Sequence, residues 1–521
     1  MKKKLEVRRK KSEDRSSHLS RFTYHFSLFT YLFSLFTPLS FYLCISKSNK
    51  IMLKKTKIVA TISDRRCDVE FLQKLYDAGM NVVRLNTAHQ NLEQAKMVIE
   101  NVRKVSDKIA LLVDTKGPEI RTSPLGEDIS VSKGDIIKLK GDVNRESKGD
   151  TLYLSYPNIV NEVPTNSSIL IDDGDIELKV IDKNADSLIC EVHNHGIIKL
   201  RKSINIPNVH INLPSLTEKD IEFVKFAIDN KLDFIAHSFV RKKEDVIEIK
   251  QILGDHNSSI KVIAKIENQQ GVDNIDEILD HTYGIMVARG DLGIEIAAEK
   301  IPTIQRRIVR KCIESKKPVI IATQMLHTMI EHPRPTRAEI SDIANAIYQR
   351  VDAIMLSGET AYGEYPIEAV NIMARVAQEV EVNLEPDPKQ KLVRINKEIT
   401  ATLARSAVRA CANLPIKAII VDTISGRTGR YLAAFRGKIP VYAMCYKSQV
   451  MRHLALSYGI SAEYMLPQTT RDNFLTDSIS IMAERGKLNP DDMVLIIGGS
   501  FGPWDGASFM EISQVKNLVK K

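Results

Sequence analysis

Eight short apolar runs, separated by helical patterns, recur between residues 57 and 357 and restrict the folds open to this chain. Each run is rich in Val, Ile, Leu and Ala, as are parallel strands buried on both faces. Eight such strands alternating with helices indicate a closed (β/α)₈ barrel, the TIM barrel. The predicted strands are Lys57–Ile62, Asn81–Asn86, Ile109–Asp114, Asp233–Phe239, Lys261–Ile266, Gly284–Arg289, Pro318–Thr323 and Asp352–Ser357.

Amphipathic helical patterns lie between these runs and carry start and stop signals. Gly79 closes the first helix, and Thr336 and Glu339 have the spacing of a capping box. Pro366 suits the first turn of a helix that runs to about Asn383. The other predicted helices are Asp68–Ala78, Leu92–Val105, Thr217–Asn230, Lys242–Leu253, Glu299–Ser315 and Thr336–Tyr348.

Two stretches break the alternation and predict further domains. Residues 123–209 alternate short β-like runs with Gly-Asp turns, which predicts a small antiparallel β domain inserted into the barrel. Residues 386–521 follow a Pro-containing linker and predict an open α/β sheet. The barrel then comprises residues 52–122 and 210–385. The clearest strands of the last domain are Ala418–Thr423, Val441–Cys445 and Met493–Ile497.

The positive charge of the chain is concentrated at its start. Residues 1–51 hold eleven Lys and Arg against three acidic residues, and so supply +8 of the formal net charge of +9. The remainder is almost neutral and has no basic stripe with interleaved aromatics, which argues against nucleic-acid binding. The six cysteines form no CxxC motif or Cys/His cluster, which favours a reducing compartment, the cytoplasm.

Residues 1–51 form a leader of different composition. A basic head precedes the apolar stretch Phe22–Ile45, as in a signal peptide or membrane anchor, but Pro38 interrupts this stretch and no small-residue cleavage site follows. Globular patterning begins just after Met52. We expect translation to start at Met52; the alternative is a genuine anchor or targeting segment. Mass spectrometry of the native amino terminus distinguishes the two.

Polar side chains follow six of the eight strands at their carboxyl ends, where the active sites of such barrels lie. Glu267 and Asp291 offer carboxylates to a divalent cation, while Lys265 and Arg84 offer positive charge to a phosphoryl group. Gly290 leaves room for a substrate to approach backbone N–H groups. The set comprises Arg84, Asn86, Asp114, Thr115, Lys265, Glu267, Arg289, Asp291, Thr323, Ser357 and Glu359.

Each of these residues also has an ordinary explanation. Arg84 could form a salt bridge at the barrel end, Lys265 and Glu267 could be a structural ion pair, and His89 could be a loop histidine without a ligand. For the whole set the ordinary explanation is less convincing, because polar residues would have to occur at six strand ends independently and by chance.

The chain resembles the pyruvate kinase family in several long motifs that occur in the family's order. The resemblance implies a TIM barrel, an inserted small β-barrel lid and a carboxy-terminal α/β regulatory domain. It implies transfer of the phosphoryl group of phosphoenolpyruvate to ADP, which gives pyruvate and ATP in glycolysis. Matching stretches are Asn81–Asn86, Asp114–Thr122, Lys265–Asn268, Met286–Gly293, Ala322–Met325, Pro333–Glu339 and Met355–Thr360.

The resemblance also implies roles for single residues. Glu267 and Asp291 match the ligands of Mg²⁺ or Mn²⁺. Lys265 and Arg84 match residues that steady the moving phosphoryl group. The backbone of Arg289–Asp291 matches the segment that receives the substrate carboxylate.

Further roles follow from the same resemblance. Thr323 and Glu359 match residues near the route of proton delivery to the enolate carbon. His89, Arg121 and Lys202 match positions that face the nucleotide, over which the inserted domain would close as a lid.

The family also binds a monovalent cation, usually K⁺, and here the signals conflict. Asn86, Asp114 and Thr115 match three of its ligands, but Ala88 stands where the family has a serine ligand. Glu119 is the residue associated with potassium-dependent members. We expect potassium dependence with an altered ligand shell; activity that is unchanged when a bulky organic cation replaces K⁺ would overturn this.

After a strand of the third domain, hydroxyls, backbone N–H groups and a guanidinium form a candidate phosphate nest. It resembles the family's pocket for a phosphorylated effector, but the facing loop at residues 498–506 lacks the arginine of fructose-bisphosphate-activated members. The resemblance further suggests a homotetramer. The nest residues are Thr423, Ser425, Gly426, Arg427 and Thr428.

Two other classes of function stay open on the residues alone. A different Mg²⁺-dependent barrel enzyme acting on phosphoenolpyruvate or an oxoacid would show no ADP requirement. A non-catalytic regulatory descendant should have lost Lys265, Glu267 or Asp291, and all three are present.

Overall fold

The computed structural model describes residues 54–384, 398–499, 501 and 506–518. The predicted leader, most of the predicted linker and part of the loop that faces the phosphate nest lie outside the described residues. Over the described ranges, no helix has both the length and the apolar character needed to cross a membrane.

Eight parallel strands close into a barrel in which each strand pairs with the next along the chain and the eighth pairs with the first. All eight predicted strands are present, most of them shorter by a residue or two. The strands are Lys57–Thr61, Val82–Asn86, Ala110–Asp114, Phe234–His237, Lys261–Ile266, Gly284–Ala288, Val319–Ala322 and Ala353–Leu356.

Helices surround the barrel and pack their apolar faces on the outer side of the strands. The predicted capping box is present: the Thr336 hydroxyl accepts a hydrogen bond from Glu339 N, and the Glu339 carboxylate accepts one from Thr336 N. Among the helices around the barrel, Ile275–His281 was not predicted, since seven residues are too few for a clear period; the short helices Gln269–Asp273 and Arg289–Glu295 were not predicted either. The barrel helices are Val69–Ala78, Leu92–Val105, Glu218–Asp229, Lys243–Asp255, Ile275–His281, Ile301–Glu314, Arg337–Tyr348 and Pro366–Val382.

The interior of the barrel is a packed core. Phe234, Met286 and Met355 are among the side chains that fill it. Leu456, from a turn of the carboxy-terminal segment, joins the same cluster and plugs the amino-terminal end of the barrel. The opposite end, at the carboxyl ends of the strands, is the end that carries the polar rim.

The segment inserted after the third barrel strand forms a seven-stranded sheet and a separate two-stranded ribbon. Thr122 and Leu154 form a bridge between the two edges of the sheet, and Ser155 N donates to Arg121 O at 2.8 Å, which closes it into a small barrel. The pairing is antiparallel except between Ile136–Lys140 and Thr151–Tyr153. In sheet order the strands are Ile120–Arg121, Ser203–Asn205, Ser168–Ile171, Ile176–Lys183, Leu188–Val192, Ile136–Lys140 and Thr151–Tyr153; the ribbon pairs Ile129–Val131 with Gly196–Ile198.

The carboxy-terminal segment forms a five-stranded sheet with helices on both faces, four strands being parallel and the last antiparallel. The predicted fold class is therefore confirmed. In sheet order the strands are Ile460–Tyr464, Val441–Cys445, Ile416–Thr423, Met493–Gly498 and Phe509–Gln514. The main helices of this segment are Ile399–Asn413, Arg427–Ala434, Ser448–His453 and Arg471–Glu484.

Candidate active site

Lys265 lies at the centre of a buried charge cluster at the carboxyl end of the barrel. Its ammonium nitrogen is 3.2 Å from Asp114 Oδ2, 2.8 Å from Glu267 Oε1 and 2.7 Å from Ser238 Oγ. Arg84 donates to the same Asp114 oxygen, from Nε at 3.2 Å and also from Nη2. The second, third and fifth strands thus bring four of the predicted residues into one hydrogen-bonded group.

Neighbouring charges in this cluster shift the pKa values of Lys265 and Asp114. Burial alone would lower the pKa of Lys265, but Asp114 and Glu267 outweigh this and raise it. Burial would raise the pKa of Asp114, and Arg84 and Lys265 bring it below its usual range. Lys265 is therefore a fixed cation and Asp114 a fixed anion near neutral pH.

Glu267 and Asp291 form the acidic side of the site. Burial raises the pKa of Glu267 to about 7 against the opposing effect of Lys265, and burial also raises the pKa of Asp291. Both line a cleft of about 320 Å³ between the barrel rim and the inserted domain. One lysine balances only part of the negative charge of these two buried carboxylates. The pair is therefore suited to a divalent cation such as Mg²⁺, which prefers oxygen ligands.

The residues expected at the monovalent cation lie on neighbouring strand ends. Asn86 and Asp114 are paired in register, and Thr115 follows directly. Asp114 Oδ1 is buried and has no hydrogen-bond partner among the described residues, so it is an open acceptor. Asn86 Oδ1 accepts a 3.2 Å bond from the backbone of Ala88, whose own side chain offers no oxygen. The oxygens of Asn86, Asp114 and Thr115 therefore fit a monovalent cation, but they provide fewer side-chain ligands than the family pattern.

The ends of the sixth and seventh strands are tied together. Gly290 N donates to Thr323 Oγ1 at 2.8 Å, so this N–H is already engaged. Arg289 donates to Thr323 O at 2.7 Å and pairs with Asp342 at the same distance. Thr323 has a φ of 71°, a strained value for a β-branched residue, and such strain is concentrated at functional sites.

Glu359, after the eighth strand, is buried and accepts backbone bonds on both carboxylate oxygens. Leu326 N donates to Oε1 at 3.2 Å, and Ser357 N donates to Oε2 at 2.7 Å. Ser357 therefore contributes its backbone N–H to holding Glu359.

The three residues expected at the nucleotide lie apart from the central cluster. His89 is exposed in the loop after the second strand. Arg121 lies on the first strand of the inserted sheet and pairs with Glu119 at 2.6 Å, while Lys202 precedes the adjacent strand and pairs with Asp172 at 2.7 Å. Both cations are therefore already paired with a carboxylate.

The predicted phosphate nest lies in the carboxy-terminal sheet. Gly426 has a φ of 78° and donates its N–H to Thr423 Oγ1 at 2.9 Å. Arg427, at the start of the following helix, pairs with Glu398 at 2.6 Å, so its guanidinium is already partly neutralised. Burial would lower the pKa of Arg427, and Glu398 raises it above its usual value.

Sequence reasoning missed Ser238 and Phe239. Both follow the fourth strand, where no functional residue was predicted, because the pattern extended the strand to Phe239. The signal was present, since the polar residues His237 and Ser238 end an otherwise apolar run. Phe239 has a φ of 53° and donates its N–H to Glu267 Oε2 at 2.6 Å.

The fold and site define a class of enzyme: (β/α)₈ barrels with a buried lysine and paired carboxylates at the carboxyl-end rim. Comparison with known proteins narrows that class. Residues 53–370 match the family model "Pyruvate kinase, barrel domain", and residues 401–513 match "Pyruvate kinase, alpha/beta domain". The chain belongs to the pyruvate kinase family and is a phosphotransferase; the resemblance predicted from the motifs is confirmed.

Individual relatives agree with this assignment. A pyruvate kinase of Borreliella burgdorferi is 48% identical over 475 residues, which cover 90% of this chain and 98% of the relative. A pyruvate kinase of Bacillus licheniformis is 40% identical over 487 residues, covering 90% of this chain and 82% of the relative. A crystal structure of a pyruvate kinase from Cryptosporidium parvum has a TM-score of 0.85 at 34% identity, over 90% of this chain and 97% of that one.

Proposed function

We propose that this enzyme transfers the phosphoryl group of phosphoenolpyruvate to ADP at the carboxyl-end rim of its barrel. The observation that carries the proposal is the single buried cluster that joins Arg84, Asp114, Lys265 and Glu267 beside Asp291 and the cleft. Phosphoryl transfer requires mainly positioning and charge compensation, which a fixed lysine and arginine supply.

The divalent cation would be held by Glu267 and Asp291. When bound, Mg²⁺ or Mn²⁺ supplies charge compensation for the phosphoryl and substrate oxygens. Lys265, next to Glu267, and Arg84, paired with Asp114, supply positive charge beside these carboxylates, and the raised pKa of Lys265 keeps its ammonium charged at neutral pH. The backbone of Arg289–Asp291 receives the substrate carboxylate, which requires Thr323 Oγ1 to release the Gly290 N–H that it now accepts.

Thr323 and Glu359 act in the step that protonates the enolate. The Thr323 hydroxyl can both donate and accept a hydrogen bond, as a group that relays a proton must, and its bond to Ala322 O at 2.6 Å holds it at the strand end. Glu359 is anchored by two backbone amides and holds together the segments after the seventh and eighth strands.

The inserted domain, residues 123–209, acts as a lid over the nucleotide, which contacts His89, Arg121 and Lys202. The barrel of residues 52–122 and 210–385 is the catalytic domain, and residues 386–521 form the regulatory domain. Closure of the lid would remove water from the cleft that it shares with the barrel rim.

Several finer properties complete the proposal. K⁺ binds at Asn86, Asp114 and Thr115, supported by the open Asp114 oxygen. The nest at Thr423–Thr428 binds a phosphorylated effector in competition with the Glu398 carboxylate. The enzyme works in the cytoplasm as a homotetramer.

A steady-state assay tests the proposed reaction. Protein that begins at Met52 is supplied with phosphoenolpyruvate and Mg²⁺, with and without ADP, and pyruvate and ATP are both measured. We expect equal amounts of pyruvate and ATP, and no pyruvate without ADP. Pyruvate formation that does not need ADP would favour the other class of Mg²⁺-dependent barrel enzyme.

A further inference from the structure

Ser238 occupies a central place in the charge cluster. It follows the fourth barrel strand, and its side chain is buried between the third and fifth strands. Its hydroxyl is 2.7 Å from the ammonium of Lys265 and 2.6 Å from the backbone carbonyl of Thr115. A second bond runs from Ser238 N to Thr115 Oγ1 at 2.9 Å.

The direction of these hydrogen bonds is fixed by their partners. An ammonium group can only donate and a carbonyl oxygen can only accept. The Ser238 hydroxyl must therefore accept from Lys265 and donate its one hydrogen to Thr115 O. Lys265 then uses its three N–H donors on Asp114, Glu267 and Ser238, and of these three acceptors Ser238 is the one that is not a carboxyl group.

The local backbone is built to keep Ser238 in this place. Phe239, the next residue, has a left-handed conformation and donates its N–H to Glu267. Gly117 lies against this turn with a φ of 73°, and a Cβ at that position would come within 2.6 Å of the Phe239 ring and 3.1 Å of Ser238 Cβ. A residue other than glycine at position 117 would displace the turn.

We propose that Ser238 is a positioning residue that holds the Lys265 ammonium and couples it to the monovalent-cation ligand Thr115. This inference rests on the proposed function, which assigns Lys265 to the phosphoryl group and Thr115 to the cation site. Without the hydroxyl, Lys265 moves toward the carboxylates and the Thr115 carbonyl loses its orientation. The displaced ammonium then lies closer to Asp114, where it repels the monovalent cation.

The test compares Ser238→Ala with wild type in ADP-dependent pyruvate formation over a range of K⁺ concentrations. We expect kcat to fall about tenfold or more and the half-saturating K⁺ concentration to rise about tenfold, as is typical when a residue that orients a ligand is removed. The KM for phosphoenolpyruvate should change much less than kcat. Ser238→Cys fills the space of the serine side chain but offers only a weak donor and acceptor, so it should show the same defect as Ser238→Ala. Near wild-type behaviour of Ser238→Cys would mean that the defect of Ser238→Ala comes from lost packing and would overturn the positioning role.

A binding measurement without turnover gives a second readout. K⁺ is titrated with neither Mg²⁺ nor substrates present while the thermal unfolding midpoint is followed, and the stabilisation by K⁺ should require higher concentrations in both variants than in wild type. Ser478→Ala is the matched control, because Ser478 is also buried and donates to a backbone carbonyl, Leu475 O, at 3.2 Å. It should behave as wild type.

The outcomes separate this inference from the proposed function. Wild type that forms no pyruvate from phosphoenolpyruvate and ADP contradicts the proposed function. An active wild type whose kcat and K⁺ response are matched by Ser238→Ala overturns the positioning role alone. An equal loss of kcat in Ser238→Ala and Ser478→Ala would also overturn the positioning role, as would a wild type whose activity and stability do not respond to K⁺.

Discussion

Buried acidic residues lie at both ends of the barrel, but their surroundings differ. At the amino-terminal end, Asp352 accepts from Arg436 at 2.8 and 2.6 Å and from the backbone of Val319 and Tyr458. At the carboxyl-terminal end, one buried oxygen of Asp114 has no hydrogen-bond partner within the part of the chain that the structure describes.

The same contrast holds for other carboxylates. Asp233, at the amino-terminal end, is paired with Arg103 and Arg452 and accepts Leu111 N at 2.9 Å. Glu267 and Asp291, at the other end, share one lysine and have raised pKa values. A buried carboxylate whose oxygens all have hydrogen-bond or ion-pair partners in the protein stabilises the fold. A buried carboxylate beside a cleft that lacks such partners, or whose charge is only partly balanced, indicates a ligand site.

The largest expected effect is at the carboxyl end, for Lys265→Met. Turnover should fall about 10³-fold or more, because the transferring phosphoryl group loses a fixed cation. The free energy of unfolding should change by only about 1 kcal/mol, since Arg84 still balances Asp114 and Glu267 can take up a proton. Steady-state kinetics and urea unfolding measure the two quantities. A fully active variant would remove Lys265 from the mechanism.

Arg436→Met is the corresponding change at the amino-terminal end. The free energy of unfolding should fall by about 3–4 kcal/mol, because a fully buried Asp352 loses its charged partner. The kcat of the folded fraction should stay near wild type. Urea denaturation measures the loss, and Lys74→Met, which breaks an exposed pair with Glu70, should leave stability almost unchanged. A large loss of kcat without a loss of stability would reverse the comparison between the two ends.

Arg452→Met should have a smaller effect at the same end. Asp233 retains Arg103 and the Leu111 amide, so we expect a loss of about 1–2 kcal/mol in the free energy of unfolding. The same urea series measures it. A loss as large as that of Arg436→Met would mean that Arg103 does not compensate the charge of Asp233.

Glu295→Gln tests how much the buried negative charge of Glu295, at the carboxyl end of the barrel, lowers the free energy of unfolding. Burial raises the pKa of Glu295 to about 7 from 4.5, so the folded state binds more protons than the unfolded state between these values, and wild-type stability falls as pH rises through them. The variant should be more stable than wild type by about 1 kcal/mol at pH 8, allowing for partial exposure, with no difference at pH 4. Equal pH profiles for the two proteins would show that Glu295 ionises without cost.

Much of the fold could be predicted because local signals agree with the tertiary structure. The eight barrel strands are buried on both faces and read as apolar runs, and Thr336 and Gly79 cap helices as predicted. The strands Ile460–Tyr464 and Phe509–Gln514 lie at the edges of the last sheet, are only partly buried and were not predicted.

The site was predictable where strand ends carry charge and not where contacts join distant residues. Lys265 and Glu267 stand out in sequence, and they do form the ion pair that was their ordinary interpretation. The pairing of Asp352 with Arg436, 84 residues away, has no local signal. Ser238 was missed because its role depends on a carbonyl 123 residues earlier.

Anomalous diffraction from crystals soaked in Mn²⁺ tests the central contrast between the two barrel ends. A Mn²⁺ peak bound by Glu267 and Asp291, with none at Asp233 or Asp352, is the predicted result. Strong binding at the amino-terminal carboxylates, or a carboxyl-end rim with no bound metal, would contradict the account.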